Sequence, residues 1–390
     1  MKTKQNVLNI VFLLSLAAFL LAGLGKALFA HKAINLYENR KAYQWQRPTL
    51  SAYLEASFQD SVEKALSDQV LFSQTMKQLY NQNSTGLLLE ALSGFLQANP
   101  DRYIKLLGME TFGGTLVYGT RTLADMVPAL DEKLQGLNAL IGAHPELGFY
   151  VYYIEKDTDI NFETGEKVGA YEYLRERLEL PQGRMARFQV DSFADFSRWF
   201  YRTDHHWNDE GSYRGYTQVA SLLGVEESLL EPAEELTLPY AFSGSKASTA
   251  GAKDVFQERF TAYRFAFPAM EISVNGAPAG DYGSQEAYWD GSPASISYGD
   301  FYGGDFGETV FDTGTQGRGN LLVLGESYDN AILKLLAAHF DKTFSIDLRY
   351  YQGEEGAFSF SDYCRENQVD TVLLIGNIDY FTVAEFLPED

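Results

Sequence analysis

The chain is short of cysteine and of positive charge. Its 390 residues include one cysteine, Cys364, which excludes an intramolecular disulfide and a zinc site built from cysteines. Lysine and arginine number 31 against 53 aspartate and glutamate residues, giving a formal net charge of −22. Such a field repels phosphate backbones, so nucleic acid is not an expected partner. Low-complexity tracts and repeats are also absent, which favours a compact body.

The composition is globular, with 45% hydrophobic residues, and the chain starts with an apolar segment. Lys2 and Lys4 precede an apolar run over residues 7–25. The run approaches the roughly 20 residues that a helix needs to cross a bilayer, so residues 1–30 are predicted to be an uncleaved signal anchor. A cleaved signal peptide and a buried core helix are the alternatives. The basic start predicts a single-pass cell-membrane protein, in contact with lipid through residues 7–25, whose body is extracytoplasmic.

Two regions are predicted beyond the anchor. Residues 31–102 are expected to form a helical stalk or cap, because apolar residues recur every four positions between Leu50 and Tyr80. Residues 103–390 alternate between strand-like and helix-like segments, which is typical of an α/β domain with a mostly parallel sheet. The predicted elements of this domain are strands at 115–118, 149–154, 321–324, 344–350 and 371–375, and helices at 122–141, 209–223, 331–340 and 361–366.

One part of the domain has a different composition. Residues 238–319 are rich in glycine, serine, tyrosine and aspartate, with short apolar runs such as 298–304. This composition favours a β-rich insertion.

A candidate nucleophile follows one of the predicted strands. Ser327 comes shortly after the strand 321–324, and the next helix is predicted to begin near Tyr328. Ligands of α/β sheets bind beyond the carboxyl ends of strands, and the first amides of a helix can donate to an oxyanion. The arrangement resembles a nucleophile elbow. The alternative is that Ser327 only caps the helix.

The chain has five histidines that could act as the base for this serine. His31, His144 and His339 are expected to be structural or on the surface. The other two lie in Tyr-Arg-Thr-Asp-His-His-Trp-Asn, where Asp204 is two residues before His206. In an extended segment these two side chains share a face, so the carboxylate would orient the imidazole.

The same cluster has other interpretations. His205 is expected to point away from this face, and Trp207 to wall the site or stack on a sugar. A satisfied polar turn before the helix 209–223 remains an alternative. Asp204, His205 and His206 are also metal-ligand types, but no metal is expected, because adjacent histidines usually diverge and no helical i, i+4 histidine pair completes a site.

The segment Thr-Asp-His-His-Trp, ending at Trp207, resembles the signature of the bacterial DHHW family, which is similar to the alginate O-acetylation proteins of the SGNH-hydrolase-like superfamily. Three further segments look like family landmarks in family order: Glu38-Asn-Arg40, Leu-Val-Leu-Gly-Glu-Ser-Tyr328 and Asp347-Leu-Arg-Tyr350. The resemblance runs from the anchor nearly to the C-terminus, with weak support in the insertion.

The resemblance implies a three-layer SGNH-like α/β domain. No cofactor is expected. It makes Ser327 the nucleophile, His206 the base and Asp204 the orienting acid. The supporting residues around the acyl or sugar group would be Tyr328, Arg349, Trp207, His205 and Asn377.

The implied activity is that of a membrane-anchored serine O-acetyltransferase or acetylesterase. It would act on a cell-envelope or secreted polysaccharide through an acetyl-serine, with acetyl groups supplied by a membrane-bound O-acyltransferase. Glu326 departs from the family, which more often has aspartate before the serine. A catalytically silent envelope scaffold or glycan-binding protein is therefore the main alternative, and a metal-dependent hydrolase is a third.

Overall fold

The predicted anchor lies outside the described residues, apart from Phe12 and Leu13. Among the described residues, no helix combines the length and apolar character that membrane crossing requires. Residues 70–98 of the predicted stalk are also outside them. The computed structural model describes residues 12–13, 34–35, 40–41, 43–44, 48–54, 57–69, 99–106, 109–253, 256–280, 282, 285–289, 291, 295–351 and 358–382.

The chain divides into two units, Met1–Gly94 with Ala247–Val255, and Phe95–Lys246 with Phe256–Asp390. In the described part of the first unit, two short strands pair antiparallel and two helices follow, in agreement with the predicted helical spacing. The Tyr43 amide donates to Asp68, 2.9 Å away. The elements are β1 (Ile34–Asn35), β2 (Arg40–Lys41), α1 (Leu50–Leu54) and α2 (Ser57–Gln69).

The second unit alternates strands and helices. Its strands are β3 (Ile104–Leu106), β4 (Met109–Phe112), β5 (Thr115–Val117), β6 (Gly148–Ile154), β7 (Met185–Phe188), β8 (Glu234–Phe242), β9 (Glu258–Arg264), β10 (Glu271–Val274), β11 (Ala277–Pro278), β12 (Glu308–Asp312), β13 (Asn320–Leu324), β14 (Lys342–Ile346) and β15 (Thr371–Gly376). Its helices are α3 (Leu123–Ala143), α4 (Ala170–Arg177), α5 (Phe193–Trp199), α6 (Asp209–Leu223), α7 (Ser245–Thr249, whose last residues belong to the first unit), α8 (Gln285–Trp289), α9 (Tyr298–Tyr302), α10 (Asn330–Ala337) and α11 (Phe360–Glu366), with a 3-10 turn at Glu226–Ser228.

The main sheet has eight strands in the order β11-β10-β12-β14-β13-β15-β6-β7. The five strands from β14 to β7 run parallel, and β12, β10 and β11 continue the sheet antiparallel. The predicted mixed α/β fold with a large, mostly parallel sheet is confirmed. Strands β3 to β5 form a separate antiparallel sheet, and β8 pairs with β9.

Helices cover both faces of the main sheet. Along β13, Leu321 and Val323 join one buried core with α5, α6 and α10. Leu322 and Leu324 point to the opposite core, which includes α3, α4 and α11. Because alternate side chains of a strand point to opposite faces, a strand buried on both faces is apolar throughout, as Leu-Leu-Val-Leu is.

One predicted strand is shorter than expected. The strand predicted at 344–350 ends at Ile346, and the next residues turn. The backbone amides of Tyr350 and Tyr351 both donate to the Asp347 carbonyl. The Asp347 carboxylate accepts from the Arg349 amide at 3.0 Å, and this local side-chain hydrogen bond competes with the strand ladder.

The region predicted as a β-rich insertion also contains helices. Residues 298–302 of the run 298–304, which was taken as part of the β-rich segment, form α9, and the Ser297 hydroxyl caps this helix by accepting from the Asp300 amide at 3.1 Å. Strands β10, β11 and β12 from this region extend the main sheet.

Candidate active site

Ser327 lies in the turn between β13 and α10. The helix begins at Asn330, two residues later than the start predicted near Tyr328. The Asp329 amide closes the turn by donating to the Glu326 carbonyl at 2.9 Å. The serine is therefore presented beyond the carboxyl end of a central parallel strand, as the sequence predicted.

The turn depends on a glycine before it. A Cβ built on Gly325 would lie 2.0 Å from Oδ2 of Asp329 and 3.0 Å from Cγ2 of Ile375. Since real Cβ atoms do not approach other atoms at 2.0 Å, a side chain at position 325 would displace the buried Asp329 side chain or the turn that carries the serine.

The structure brings Asp204, His206 and Ser327 into one chain of hydrogen bonds. Nε2 of His206 lies 2.7 Å from Oγ of Ser327. Nδ1 of the same ring lies 2.6 Å from Oδ1 of Asp204. All three residues are buried. With the proton on Nδ1, the tautomer that this carboxylate selects, Nε2 is free to accept the serine proton.

The segment that holds Asp204 and His206 is bent, although it was predicted to be extended. Oδ1 of Asp204 accepts from the His206 backbone amide at 3.0 Å as well as from its ring. This i to i+2 hydrogen bond is an Asx turn, which places the carboxylate beside the imidazole without a strand. The other oxygen, Oδ2, accepts from the Ser245 amide at 2.6 Å.

His206 is packed between two rings. The prediction that His205 points away is wrong, because the bend brings its ring centroid to 3.8 Å from that of His206. On another side, Tyr298 lies parallel to His206 within 3°, with the centroids again 3.8 Å apart. Nothing in the sequence pattern marks Tyr298, which lies in α9, as a neighbour of His206.

Burial and charge set the ionisation of this group. Burial raises the pKa of Asp204, but attraction to His206 and His205 and hydrogen bonds from His206 and the Ser245 amide outweigh it, so its pKa is lowered. Burial lowers the pKa of His205 well below its ordinary value, and nearby His206 adds to this. Asp204 is therefore ionised, and His205 is neutral.

Two predicted substrate contacts are interior. Trp207 is fully buried, so no face of its ring is open to stack on a sugar. Tyr328 is also fully buried, and its hydroxyl donates to the His205 carbonyl. Tyr328 is thus placed to hold the histidine segment in position rather than to touch an acyl or sugar group.

Glu326 and Asn377 contact each other. Asn377 follows β15 and Glu326 follows β13, and these neighbouring parallel strands end at the same edge of the sheet. Nδ2 of Asn377 donates to Oε1 of Glu326 at 2.5 Å, and both residues are buried. Burial raises the pKa of Glu326, against the opposing charge of Arg349. Asn377 therefore supports the turn before the serine.

Arg349 is held by carboxylates. Its Nε lies 2.9 Å and 3.1 Å from the two oxygens of Asp347, and its Nη2 is 3.5 Å from Oδ2 of Asp305. About a fifth of its side chain is exposed. Burial opposes the charge of Arg349, but these carboxylates raise its pKa, so it is a fixed cation near Glu326.

The backbone supplies candidate oxyanion donors. The amides of Ser327 and Tyr328 donate no hydrogen bond to any other group in the part of the chain that the structure describes. Amides beside a nucleophile and ahead of a helix are suited to stabilise a tetrahedral oxyanion.

The cluster also contains a group of metal-ligand types. One ligand atom each from Asp204, His205 and His206 lies within 4.8 Å of the others, so the histidines converge instead of diverging as expected. These residues could hold a cation. Both ring nitrogens of His206 are already within hydrogen-bond distance of Asp204 and Ser327.

Two other histidines have partners elsewhere. His339 contacts the Tyr216 hydroxyl at 2.7 Å, and His144 lies 3.0 Å from the Ser361 hydroxyl. His31 lies outside the described residues.

The fold is similar to solved bacterial proteins. PatB1 of Bacillus cereus matches with a TM-score of 0.55 and 18% identity, over 74% of this chain and 100% of that chain. PatB1 with a sulfonyl adduct has also been solved, and matches with a TM-score of 0.53 and 18% identity over 72% of this chain and 97% of that one. A DHHW family protein of Eubacterium siraeum matches with a TM-score of 0.51 and 16% identity, over 72% of this chain and 94% of that chain.

These neighbours agree with the resemblance predicted from the sequence and show a shared fold. At identities below 20% they show nothing about chemistry. No family model and no curated protein sequence matches the chain.

Proposed function

We propose that the protein is a serine acyltransferase or esterase that handles acetyl groups on a polysaccharide. The observation that carries the proposal is the hydrogen-bond chain from Asp204 through His206 to Ser327, with separations of 2.6 Å and 2.7 Å. An orienting acid, a base and a nucleophile that are hydrogen-bonded in this order form a catalytic triad. Glu326, which replaces the aspartate more common in the family, accepts a hydrogen bond from Asn377 and leaves the triad intact.

The chemistry divides into two steps. His206 takes the Ser327 hydroxyl proton as Oγ attacks the carbonyl carbon of an acetyl ester, and the amides of Ser327 and Tyr328 stabilise the oxyanion. His206 gives the proton to the leaving alcohol, which departs and leaves an acetyl-serine. A glycan hydroxyl then loses its proton to His206 as its oxygen attacks the acetyl carbon, and His206 returns that proton to Oγ of Ser327, which departs and regenerates the enzyme. Water in place of the glycan makes the reaction a hydrolysis.

The location and partners belong to the same proposal. Residues 1–30 would anchor the protein in the cell membrane with the catalytic unit extracytoplasmic. A membrane-bound O-acyltransferase would supply acetyl groups there, and a cell-envelope or secreted polysaccharide would accept them. The excess of acidic residues supports a neutral or cationic acceptor over a polyanion.

The test is intact-mass analysis of the full-length protein with an aryl acetate and, separately, with an aryl sulfonyl fluoride, a reagent class suggested by the PatB1 adduct. With the aryl acetate we expect one acetyl group per chain and release of the aryl alcohol; with the sulfonyl fluoride we expect one sulfonyl group per chain and release of fluoride. Ser327→Ala should lose both adducts. Ser345→Ala, which changes a buried serine in β14, is the matched control and should keep them.

The outcomes separate the alternatives. Equal turnover by the Ser327→Ala protein would contradict a serine mechanism. A folded wild-type protein without adduct or turnover would favour a silent scaffold or glycan-binding protein, for which glycan binding is then measured. Activity that is lost with a chelator and restored by zinc or manganese would favour the cation interpretation of Asp204, His205 and His206.

A further inference from the structure

The orienting acid of the site is held from its far side by another segment. Oδ1 of Asp204 serves His206, and Oδ2 accepts from the Ser245 amide at 2.6 Å. A Cβ on Gly244 would lie 2.3 Å from both Cβ and Oδ2 of Asp204, so the backbone at 244 rests directly on this residue. The Gly244 amide donates to Oγ1 of Thr203 at 3.0 Å. The segment 244–246 therefore fixes the plane of the carboxylate.

A buried ion pair ties this segment to the main sheet. Lys246 is fully buried, and its Nζ lies 2.7 Å from Oδ2 of Asp157. Asp157 comes just after β6, and the same oxygen accepts from the Tyr118 amide at 2.8 Å. The Lys246 ammonium also lies 5.3 Å from the centre of the Tyr118 ring and 5.0 Å from that of Phe196.

The Lys246–Asp157 ion pair contributes little net stability to the fold, because burying two charges costs desolvation free energy. Burial lowers the pKa of Lys246, against the attraction of Asp157. Oδ1 of Asp157 is buried without a hydrogen-bond partner among the described residues. Replacing a buried ion pair by apolar residues is often neutral or stabilising, so its presence here is better explained by the position it imposes on the chain.

We propose that the Lys246–Asp157 ion pair is a positioning device for catalysis: it holds the Ser245 amide against Asp204 and thereby fixes the orientation of His206. The proposal rests on the function proposed above. It assigns Lys246 and Asp157, which contact neither Ser327 nor His206, an effect on the acyl-transfer step.

The test uses the full-length protein with the double substitution Lys246→Met and Asp157→Asn. Removing one partner alone would leave an uncompensated buried charge and endanger folding. The double variant removes both charges and keeps an amide oxygen for Tyr118. Lys342→Met is the matched control, because Lys342 forms an ion pair of 2.8 Å with Asp312 at the far, amino-terminal end of β14.

Two readouts are measured. The first is the low-field proton resonance of the His206 Nδ1–H in its hydrogen bond to Asp204, assigned by its loss in His206→Gln. The second is turnover of an aryl acetate. We expect the resonance to move upfield or vanish in the double variant, and kcat to fall about a hundredfold with KM little changed, as for a catalytic group displaced by about 1 Å. Lys342→Met should match the wild type in both.

An unchanged His206 resonance in the folded double variant would overturn the positioning proposal, whatever the turnover. A changed resonance with wild-type kcat would also overturn it, since positioning would then have no effect on the reaction. Wild-type protein that shows the resonance but no serine-dependent turnover would defeat the proposed function instead, and this outcome is distinct from the other two.

Discussion

His206 is held through both ring nitrogens and both ring faces. Asp204 and Ser327 are hydrogen-bonded to the nitrogens, while the ring centroids of His205 and Tyr298 each lie 3.8 Å from that of His206. His205 is kept neutral by burial and therefore adds no positive charge beside His206. The face of Tyr298 is electron-rich and attracts a cation. When His206 takes the serine proton, the parallel Tyr298 ring is placed to stabilise the imidazolium that forms.

Replacing Tyr298 tests this role. In Tyr298→Leu we expect kcat for an aryl acetate to fall by about 5- to 30-fold, which corresponds to about 1 to 2 kcal/mol of lost cation–π attraction. Tyr298→Phe keeps the ring face and should retain kcat within a few-fold. Steady-state kinetics of both variants decide between them. Equal losses in the two would assign the effect to the Tyr298 hydroxyl, which lies 3.4 Å from the Tyr328 carbonyl, and would contradict the ring interaction.

Elements with strong local signals were predictable from the sequence. Helix α6 has the predicted bounds because Asn208 caps it by accepting from the Gly211 amide, and Gly224, at a φ of 74°, ends it. The central strands were predictable as continuous apolar runs, and the place of Ser327 followed from the strand before it.

The contacts that complete the site were not predictable. The packing of His205 and Tyr298 on His206 depends on a bend and on a helix from the insertion, and neither has a periodicity in sequence. The burial of Trp207 was missed because an aromatic residue beside a polar motif has the same letter whether it faces a ligand or the core. The tie between Lys246 and Asp157 joins residues 89 positions apart.

At the level of elements, the turn from β13 to α10 predicts a sharp effect of one methyl group. In Gly325→Ala the new Cβ would overlap the buried Asp329 carboxylate, so we expect Asp329 and the adjoining turn to shift and to carry Ser327 with them. We expect kcat to fall about a hundredfold and the free energy of unfolding to fall by about 1 to 3 kcal/mol.

The matched control for this change is Gly136→Ala. Gly136 lies in α3 with nothing within 4 Å of an added Cβ, so this substitution should raise the free energy of unfolding by about 0.5 to 1 kcal/mol and leave kcat unchanged. Chemical denaturation and aryl acetate turnover measure both effects. Wild-type kcat in Gly325→Ala would contradict the required close approach.

For the whole molecule, two carboxyls give opposite pH dependences of stability: Asp159, which is buried, and Asp379, which is partly exposed. Burial raises the pKa of Asp159 to about 6, despite hydrogen bonds from the Tyr153 hydroxyl and the Lys156 amide. Burial also acts on Asp379, but Lys156 and Arg121 lower its pKa to about 2. Folding therefore favours the protonated form of Asp159 and the ionised form of Asp379.

The sign of each effect follows from these directions. The stability that Asp159 contributes is present below about pH 4 and is lost as the pH rises through 6, by about 3 kcal/mol in total. The free energy of unfolding of wild type minus that of Asp159→Asn should therefore fall from pH 4 to 6 and level off above. For Asp379→Asn the same difference should rise between pH 2 and 4. Denaturant titrations across pH measure both, and a flat difference for Asp159→Asn would contradict its raised pKa.

The place of β15 in the sheet has a consequence for folding during synthesis. This strand, Thr371–Gly376, lies between β13 and β6, so one of the two neighbours of β6 comes more than 200 residues later in the chain, whereas the other, β7, follows it closely. A nascent chain can form local helices, but it cannot join the two halves of the parallel sheet until residue 376 has left the ribosome. The parallel sheet of the emerging chain thus stays incomplete through most of translation.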